Sequence, residues 1–407
     1  MTPSVLGSVT LGYELIWNSK RQCCGVRLFV DAHGPTAVDA RHLIKTLAEL
    51  WPDTAPTVLL HVRDPVLLRD LLSHAPAHGP WLEVPDHLLL ASNPALVSAA
   101  RAAKARGVPL VWSGDAGTAP APAVLNLFHK TLRALTPHEA LAALRQVQLQ
   151  LQQKPAQRPG AHGAALTDCI YEGVSSQALL DHALDRQGAW AVTGWPTDEI
   201  VHAYRHKQIL PSRTLLRAIV KAIEDDASLD ELERRMGDEP LLTYRFLRYA
   251  NSAHLGARSE VTNVRQGLLV MGYSKLRAWL MEQMPQASTD PNLEPIRIAM
   301  VLRARIMERL ADAGIEDALR HEVHLCGVLS QLDVLLGEPL GTAIHHLPLP
   351  GRIASAVVGQ SGPYAAWLAV ASAMESSNTR MIREMCRAHK MRVDTVNRAL
   401  LRALAKV

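Results

Sequence analysis

The chain has few aromatic residues and few cysteines, and both shortages narrow the choice of fold and site. Phe, Trp and Tyr make up 4% of its 407 residues, so the cores must be built mainly from Leu, Val and Ala. No two of the five cysteines form a C-x-x-C pair; they are Cys23, Cys24, Cys169, Cys326 and Cys386. This scatter argues against a zinc site and a disulfide framework, and it is typical of a reducing compartment. We therefore expect a cytoplasmic protein.

Long apolar runs and strong charge are also missing. No apolar run approaches the ~20 residues that cross a bilayer, and the first residues lack the basic segment of a signal peptide. The net charge is +4, which does not by itself predict a nucleic-acid partner. The excess lies between residues 375 and 407, where eight Lys/Arg face three Asp/Glu. We interpret this excess as a solvated helix face, with a polyanion site as the alternative.

The first half alternates strand and helix patterns. Strands are predicted at Val9–Trp17, Cys24–Asp31 and Thr57–Val62, with helices after the second and third of these. Further strands are predicted at Pro80–Val84 and Val108–Trp112. Such alternation predicts βα units around a parallel sheet. The breaker-rich segment Pro155–Gly163 is predicted to be a loop insertion within this half.

The second half is almost entirely helical, and Pro240–Met284 is its most distinctive stretch. Apolar residues recur there at helical spacing on both sides of a polar turn that contains Asn251-Ser252. With Asn251-Ser252-Ala253 and Gly267 to Gly272, the stretch resembles the HDOD domain, a helical relative of HD-type metal hydrolases in bacterial signalling proteins. Loss of the metal is implied at Ser330-Gln331, where an HD hydrolase carries its His-Asp pair.

The first half resembles another family. Gly12-Tyr13-Glu14-Leu15-Ile16 looks like the opening signature of EAL domains, which are cyclic-di-GMP phosphodiesterases built on a βα barrel. The resemblance continues through Trp81-Leu82-Glu83 and Arg106 to Val111, and it ends at Thr193-Gly194-Trp195-Pro196. It implies a ligand set for one or two divalent ions, since carboxylate and amide oxygens suit such ions.

Only remnants of that ligand set are present. The resemblance assigns to it Glu14, His61 (in place of an Asn), Glu83 and Asp168. The paired aspartates fall on Ser113-Gly114, or on Gly114-Asp115 if the alignment slips by one residue. From these gaps we expect that the chain is not an enzyme, that it needs no cofactor and that it holds no metal.

The basic residues of the helical half have two interpretations. Arg245, Arg248 and Arg265 are the candidates for contact with an acidic partner or a phosphate. Alternatively, they are solubilising side chains whose stems cover an apolar helix pair.

The predicted fold is therefore a degenerate EAL-like α/β barrel in residues 1–200, followed by an all-α HDOD domain in residues 201–407. The predicted function is non-catalytic bacterial signal transduction through protein–protein interaction. One alternative is a cyclic-di-GMP sensor that binds the nucleotide weakly without hydrolysis. The other is a metal-dependent phosphohydrolase.

Overall fold

The structure is a computed structural model that describes residues 4–34, 37–90, 93–118, 120–152, 169–252, 260–311 and 317–407. It divides into two compact units. The barrel unit comprises Met1–Glu199 together with Ala373–Val407, and the helical unit comprises Ile200–Ser372. Within the described ranges, no helix combines the length and the apolar character that a membrane crossing requires.

The barrel unit is built on a closed barrel of eight strands. They are β1 (Val9–Trp17), β2 (Cys23–Ala32), β3 (Thr57–Val62), β4 (Trp81–Pro85), β5 (Leu110–Asp115), β6 (Lys130–Ala134), β7 (Cys169–Glu172) and β8 (Ala191–Thr193). β1 pairs antiparallel with β2 and β8, whereas every other neighbouring pair is parallel. The predicted barrel is confirmed, and β1 has the predicted bounds.

Helices connect the parallel strands, as the alternating pattern predicts. They are α1 (Ala40–Leu50), α2 (Pro65–His74), α3 (Asp86–Leu90), α4 (Pro94–Ala105), α5 (Pro122–Leu125), α6 (Pro137–Gln152) and α7 (Gln177–Asp181). Helix α8 (Thr197–His202) follows β8. Asp39 and Asp64 accept backbone N–H bonds at the starts of α1 and α2, which satisfies donors that have no partner within the helix. The predicted insertion Pro155–Gly163 lies outside the described residues.

The helical unit contains a run of helices. They are α9 (Arg213–Glu224), α10 (Leu229–Gly237), α11 (Pro240–Ala250), α12 (Val264–Gln283), α13 (Glu294–Ala311), α14 (Asp317–Leu329), α15 (Leu332–Leu336), α16 (Leu340–His345), α17 (Gly351–Val357) and α18 (Ala365–Met374). Leu242 and Phe246 of α11 pack with Leu268 and Trp279 of α12 in its core. Asn251 ties the end of α11 to the segment that leads into α12. Its side-chain amide donates to the carbonyl of Val261 and accepts from the backbone N–H of the same residue. The predicted helix pair is therefore observed.

The end of the chain packs against the barrel. Helices α19 (Thr379–Ala388) and α20 (Val393–Leu404) contact β1. Buried Asn397 donates to the carbonyls of Leu6 and Val9 and accepts from the backbone N–H of Leu11. We predicted that residues 201–407 form one helical domain, but residues 373–407 group with the barrel unit. The reason is that α19 and α20 bury their apolar faces on the barrel unit.

Candidate active site

The barrel interior has an apolar layer and, next to it, a polar layer. The apolar layer consists of Ile16, Leu59, Val111, Leu132, Ile170 and Ala191. Side chains two positions apart point to the same face of a strand. The next inward positions therefore carry Glu14 on β1, His61 on β3, Glu172 on β7 and Thr193 on β8. β1 runs opposite to its neighbours, so on that strand the polar residue precedes the apolar one. The strand alternation thus collects polar groups at one end of the barrel, which we call the mouth.

Arg27 of β2 organises the mouth. It forms a two-pronged ion pair with Glu83 of β4, in which Nε lies 2.8 Å from Oε2 and Nη2 lies 2.8 Å from Oε1. Arg27 is 4% exposed and Glu83 is 0% exposed. Nδ1 of His61 lies 2.9 Å from Oε1 of the same carboxylate. The guanidinium also stacks near the ring of Phe29, with its central carbon 5.1 Å from the ring centre.

Two further carboxylates face the other side of Arg27. Its Nη1 lies 3.0 Å from Oε2 of Glu172 and 3.7 Å from Oε2 of Glu14. The hydroxyl of Thr193 donates to Glu14 at 2.7 Å. Glu14 and Glu172 are partly exposed, unlike Glu83. One buried cation is therefore surrounded by three carboxylates, two of which reach solvent.

The pKa values of Glu14 and Glu83 are shifted in opposite directions. Burial raises the pKa of Glu14 above its ordinary value, although the Thr193 hydroxyl and Arg27 oppose this effect. Burial by itself would also raise the pKa of Glu83. The interactions with Arg27 and His61 outweigh this effect and lower the pKa of Glu83 to about 2. The Arg27–Glu83 pair is thus held in its charged form.

We tested whether these residues suit the divalent ion that the EAL resemblance implies. Such an ion needs free carboxylate oxygens at about 2.0–2.6 Å. Both oxygens of Glu83 already accept from Arg27, and among the described residues no group of three or more His, Cys, Asp and Glu is placed to hold a metal. The mouth in this arrangement does not fit a divalent ion, because the positively charged guanidinium of Arg27 already lies among the carboxylates and neutralises part of their charge.

An arginine also lies at the HD position of the helical unit. Ser330 and Gln331 stand where the resemblance expects a His-Asp pair, and Nη1 of Arg303 lies 3.4 Å from the Ser330 hydroxyl. The amide oxygen of Gln331 accepts from the same guanidinium when it faces Arg303. Arg303 is a buried residue on α13. Both hydrolase-like positions of the chain therefore contain a buried arginine.

Three of the four sequence-predicted mouth residues come together, namely Glu14, His61 and Glu83. The fourth, Asp168, lies outside the described residues. Ser113 is buried on β5 but has no carboxylate, and Asp115 is exposed. Neither position therefore supplies a carboxylate next to Arg27. Sequence reasoning missed Arg27 and Glu172. A single charged residue within the apolar strand CGVRLFV was the available signal for Arg27.

The three predicted contact arginines lie on α11 and α12, and each has an internal partner. Arg265 pairs with Asp230 at 2.5 Å and with Glu233 at 3.0 Å. Arg245 donates to Gln283 at 3.3 Å, and Arg248 lies over the ring of Tyr244 at 5.6 Å. Their role in partner contact stays a prediction.

The helical unit matches a known protein family. Residues 210–336 match the family model described as the HDOD domain. The helical unit contains an HDOD domain. With the closed eight-stranded barrel in the N-terminal region, this match confirms the predicted fold class and the resemblance to EAL-HDOD proteins.

Proteins that are similar to this chain over longer ranges are distant in sequence. The chain is 20% identical over 200 residues to the cyclic di-GMP phosphodiesterase CdgJ of Vibrio cholerae, a match that covers 49% of this chain and 46% of CdgJ. The chain thus spans less than half the length of that relative. Among solved structures, the MmoQ response regulator of Methylococcus capsulatus has a TM-score of 0.38 at 16% identity, covering 47% of this chain and 98% of MmoQ. Klebsiella pneumoniae BlrP1, in a manganese and cyclic-di-GMP complex, has a TM-score of 0.31 at 12% identity, covering 46% of this chain and 55% of BlrP1.

One sequence-based expectation is corrected here. We expected that the chain is not an enzyme, because its motifs lack several metal ligands. Its similarity to CdgJ, a protein named as a phosphodiesterase, contradicts that expectation. The expectation rested on a few missing metal-ligand residues, whereas the similarity to CdgJ extends over 200 residues. Over those 200 residues, the chain is similar to a protein named as a cyclic di-GMP phosphodiesterase.

Proposed function

We propose that this HDOD protein is a bacterial signal-transduction regulator that acts through contacts with other signalling proteins. The proposal rests on the hydrogen bonds that the buried residues Arg27 and Arg303 make. At both hydrolase-like positions the polar groups bind one another inside the fold. The outer surface of the protein is then available for contact with partners.

The HDOD domain has an exposed apolar surface that suits such contact. Leu269 is 67% exposed and its neighbour Val270 is 46% exposed, both on α12. Large apolar side chains that project into solvent favour burial against a partner, with a gain of about 25 cal/mol per Å². The ion-paired Arg265 lies one helical turn before Leu269 and gives this surface a charged margin.

The test combines crosslinking in the native host with a matched pair of variants. We expect a signalling protein to crosslink to the whole chain and to bind it again when both are purified. Leu269→Asp should abolish this binding. Val66→Asp, at another exposed apolar site (53%) on α2 of the barrel unit, should leave it intact.

A parallel assay measures cyclic di-GMP hydrolysis with Mg²⁺ or Mn²⁺. Turnover by the wild-type chain that disappears in Glu14→Gln would contradict action through contact alone and would assign the mouth the activity named for CdgJ. Equal binding of the partner by Leu269→Asp and Val66→Asp would exclude the α12 surface.

A second candidate function is binding of cyclic di-GMP at the mouth. Nη1 of Arg27 makes no hydrogen bond of good geometry although it is buried, and it points toward the partly exposed Glu14 and Glu172. A guanidinium N–H of this kind can donate to a phosphate oxygen. Calorimetry with the nucleotide tests this function, and the absence of heat at high micromolar concentration would exclude it.

A further inference from the structure

We propose that a second pocket of the barrel unit, between the end of β2 and helix α19, binds a phosphate-bearing small molecule. Its volume is about 430 Å³, within the ~300–1,000 Å³ that is usual for small-molecule sites. We call it the tail pocket, and it is lined by Asp31, His33, Arg380, Arg383, Glu384 and Arg387. It is formed by residues other than those of the mouth.

Helical and strand periodicity bring the lining residues together. Arg380, Arg383 and Arg387 are three and four positions apart on α19, so they share one face of the helix. Asp31 and His33 are two positions apart at the end of β2 and point to the same side. The contact of α19 with β2 therefore places three guanidinium groups opposite one carboxylate and one imidazole.

Internal ion pairs use only part of this positive charge. Arg383 binds Asp31 at 2.9 Å, and the hydroxyl of Thr379 donates to the same carboxylate oxygen at 3.0 Å. Arg380 binds Glu384 at 3.0 Å. Among the described residues, the side chain of Arg387 has neither an ion pair nor a hydrogen bond. The pocket thus keeps one positive charge that the chain does not neutralise.

His33 lies beside these arginines in the lining of the pocket. Its Nε2 is buried and makes no hydrogen bond, which is costly for a polar atom. Burial lowers the pKa of His33, and Arg383 and Arg387 add to this effect while Asp31 opposes it. A bound anion would offset the two arginines and would therefore favour the protonated form of the imidazole.

A phosphate group matches the guanidinium that the chain leaves uncompensated in this pocket. The planar guanidinium of Arg387 can present two parallel N–H groups to two phosphate oxygens. One uncompensated positive charge suits one phosphate, either as an inorganic ion or as a diester within a nucleotide.

The experiment measures binding to the full-length chain by calorimetry, with inorganic phosphate, cyclic di-GMP and guanosine as probes. We expect half-saturation by at least one phosphate probe below roughly 1 mM and no binding of guanosine. Arg387→Ala should weaken that binding roughly tenfold or more, because it removes a charge-assisted contact. Arg402→Ala is the matched control, since Arg402 is an exposed arginine of the same basic segment outside the pocket.

The two phosphate probes separate the sources of the ligand. Binding of inorganic phosphate assigns the site to a free phosphate, and binding of cyclic di-GMP alone assigns it to a nucleotide diester. In either case, NMR of the His33 ring should show a local shift and a raised pKa on binding.

Three results would overturn the proposal. Equal weakening by Arg387→Ala and Arg402→Ala would mean that the overall charge of the segment attracts the anion. Weakening of cyclic di-GMP binding by Glu14→Gln but not by Arg387→Ala would place the ligand at the mouth. Binding of an acidic peptide through Arg387, without binding of any phosphate probe, would make this surface a protein contact.

Discussion

Replacing Arg27 by methionine should destabilise the barrel because it leaves a buried carboxylate without its cation. Glu83 is 0% exposed and would keep only its hydrogen bond with His61. A tenfold change in proton affinity is worth about 1.4 kcal/mol. Lowering the pKa of Glu83 from 4.5 to about 2 therefore corresponds to about 3 kcal/mol. Breaking a buried ion pair from one side costs about 3–5 kcal/mol, which agrees with this figure.

The loss should depend on pH in a defined direction. A carboxylate whose pKa is lowered by folding stabilises the folded state above its unfolded pKa, and this stabilisation is lost as the pH falls through the folded pKa. The contribution of Glu83 is thus complete at pH 7 and declines between pH 4.5 and about 2. In Arg27→Met, burial becomes the main influence and Glu83 takes up a proton more readily. The difference in unfolding free energy between the two proteins should shrink as the solution is acidified toward pH 3.

The assay is urea unfolding followed by tryptophan fluorescence, together with hydrogen exchange of the β2 and β4 amides. Hydrogen exchange reports opening of the barrel separately from unfolding of the helical unit. Arg101→Met, at an exposed position on α4, is the control and should change the stability by less than about 0.5 kcal/mol. The double variant Arg27→Met/Glu83→Met should recover most of the loss, because it removes both charges. A loss below about 1 kcal/mol at pH 7, or one that does not vary with pH, would refute the reasoning.

Three further predictions concern the packing of the barrel unit and the thiols. Asn397→Ala should lower the unfolding free energy by about 1–3 kcal/mol, because two backbone carbonyls and one N–H lose a buried partner; Thr395→Ala, at an exposed position nearby, should have little effect in the same urea titration. Deletion of residues 373–407 should expose apolar surface of the barrel unit and cause aggregation, measured by size-exclusion chromatography; a monomeric, folded product would contradict the assignment of these residues to that unit. Burial raises the pKa of Cys326 to about 12 and that of Cys386 to about 11, so both thiols should resist iodoacetamide at pH 7.5 until urea unfolds the protein, as mass spectrometry would show.

The barrel was predictable from local patterns because each strand carries its own signal. The β1 segment VTLGYELIW is mostly apolar and bounded by turn residues, so its bounds could be predicted without any partner strand. The pair α11 and α12 was likewise predictable from apolar residues at helical spacing. In contrast, β6 has the short sequence KTLRA, which shows no clear alternation and becomes a strand through its pairing with β5 and β7.

The mouth was only partly predictable. Glu14 and Glu83 could be identified from short motifs, but Glu172 lacks a motif of its own and is identified by its distance from Arg27. The placement of α19 and α20 was also hidden in the sequence. Their amphipathic patterns predict helices with one buried face, but a pattern does not specify which surface covers that face.

Sequence alone therefore determined most of the strands and helices and the EAL-like and HDOD resemblances, because these depend on residue types at short spacing. Tertiary structure alone decided that Arg27 lies among three carboxylates, that Arg303 meets Ser330 and Gln331, and that the end of the chain returns to the barrel. Charges far apart in the chain interact strongly only when folding brings them within a few ångströms in a buried site. That distance dependence explains why Arg27, an ordinary residue in the sequence, becomes the organising group of the mouth.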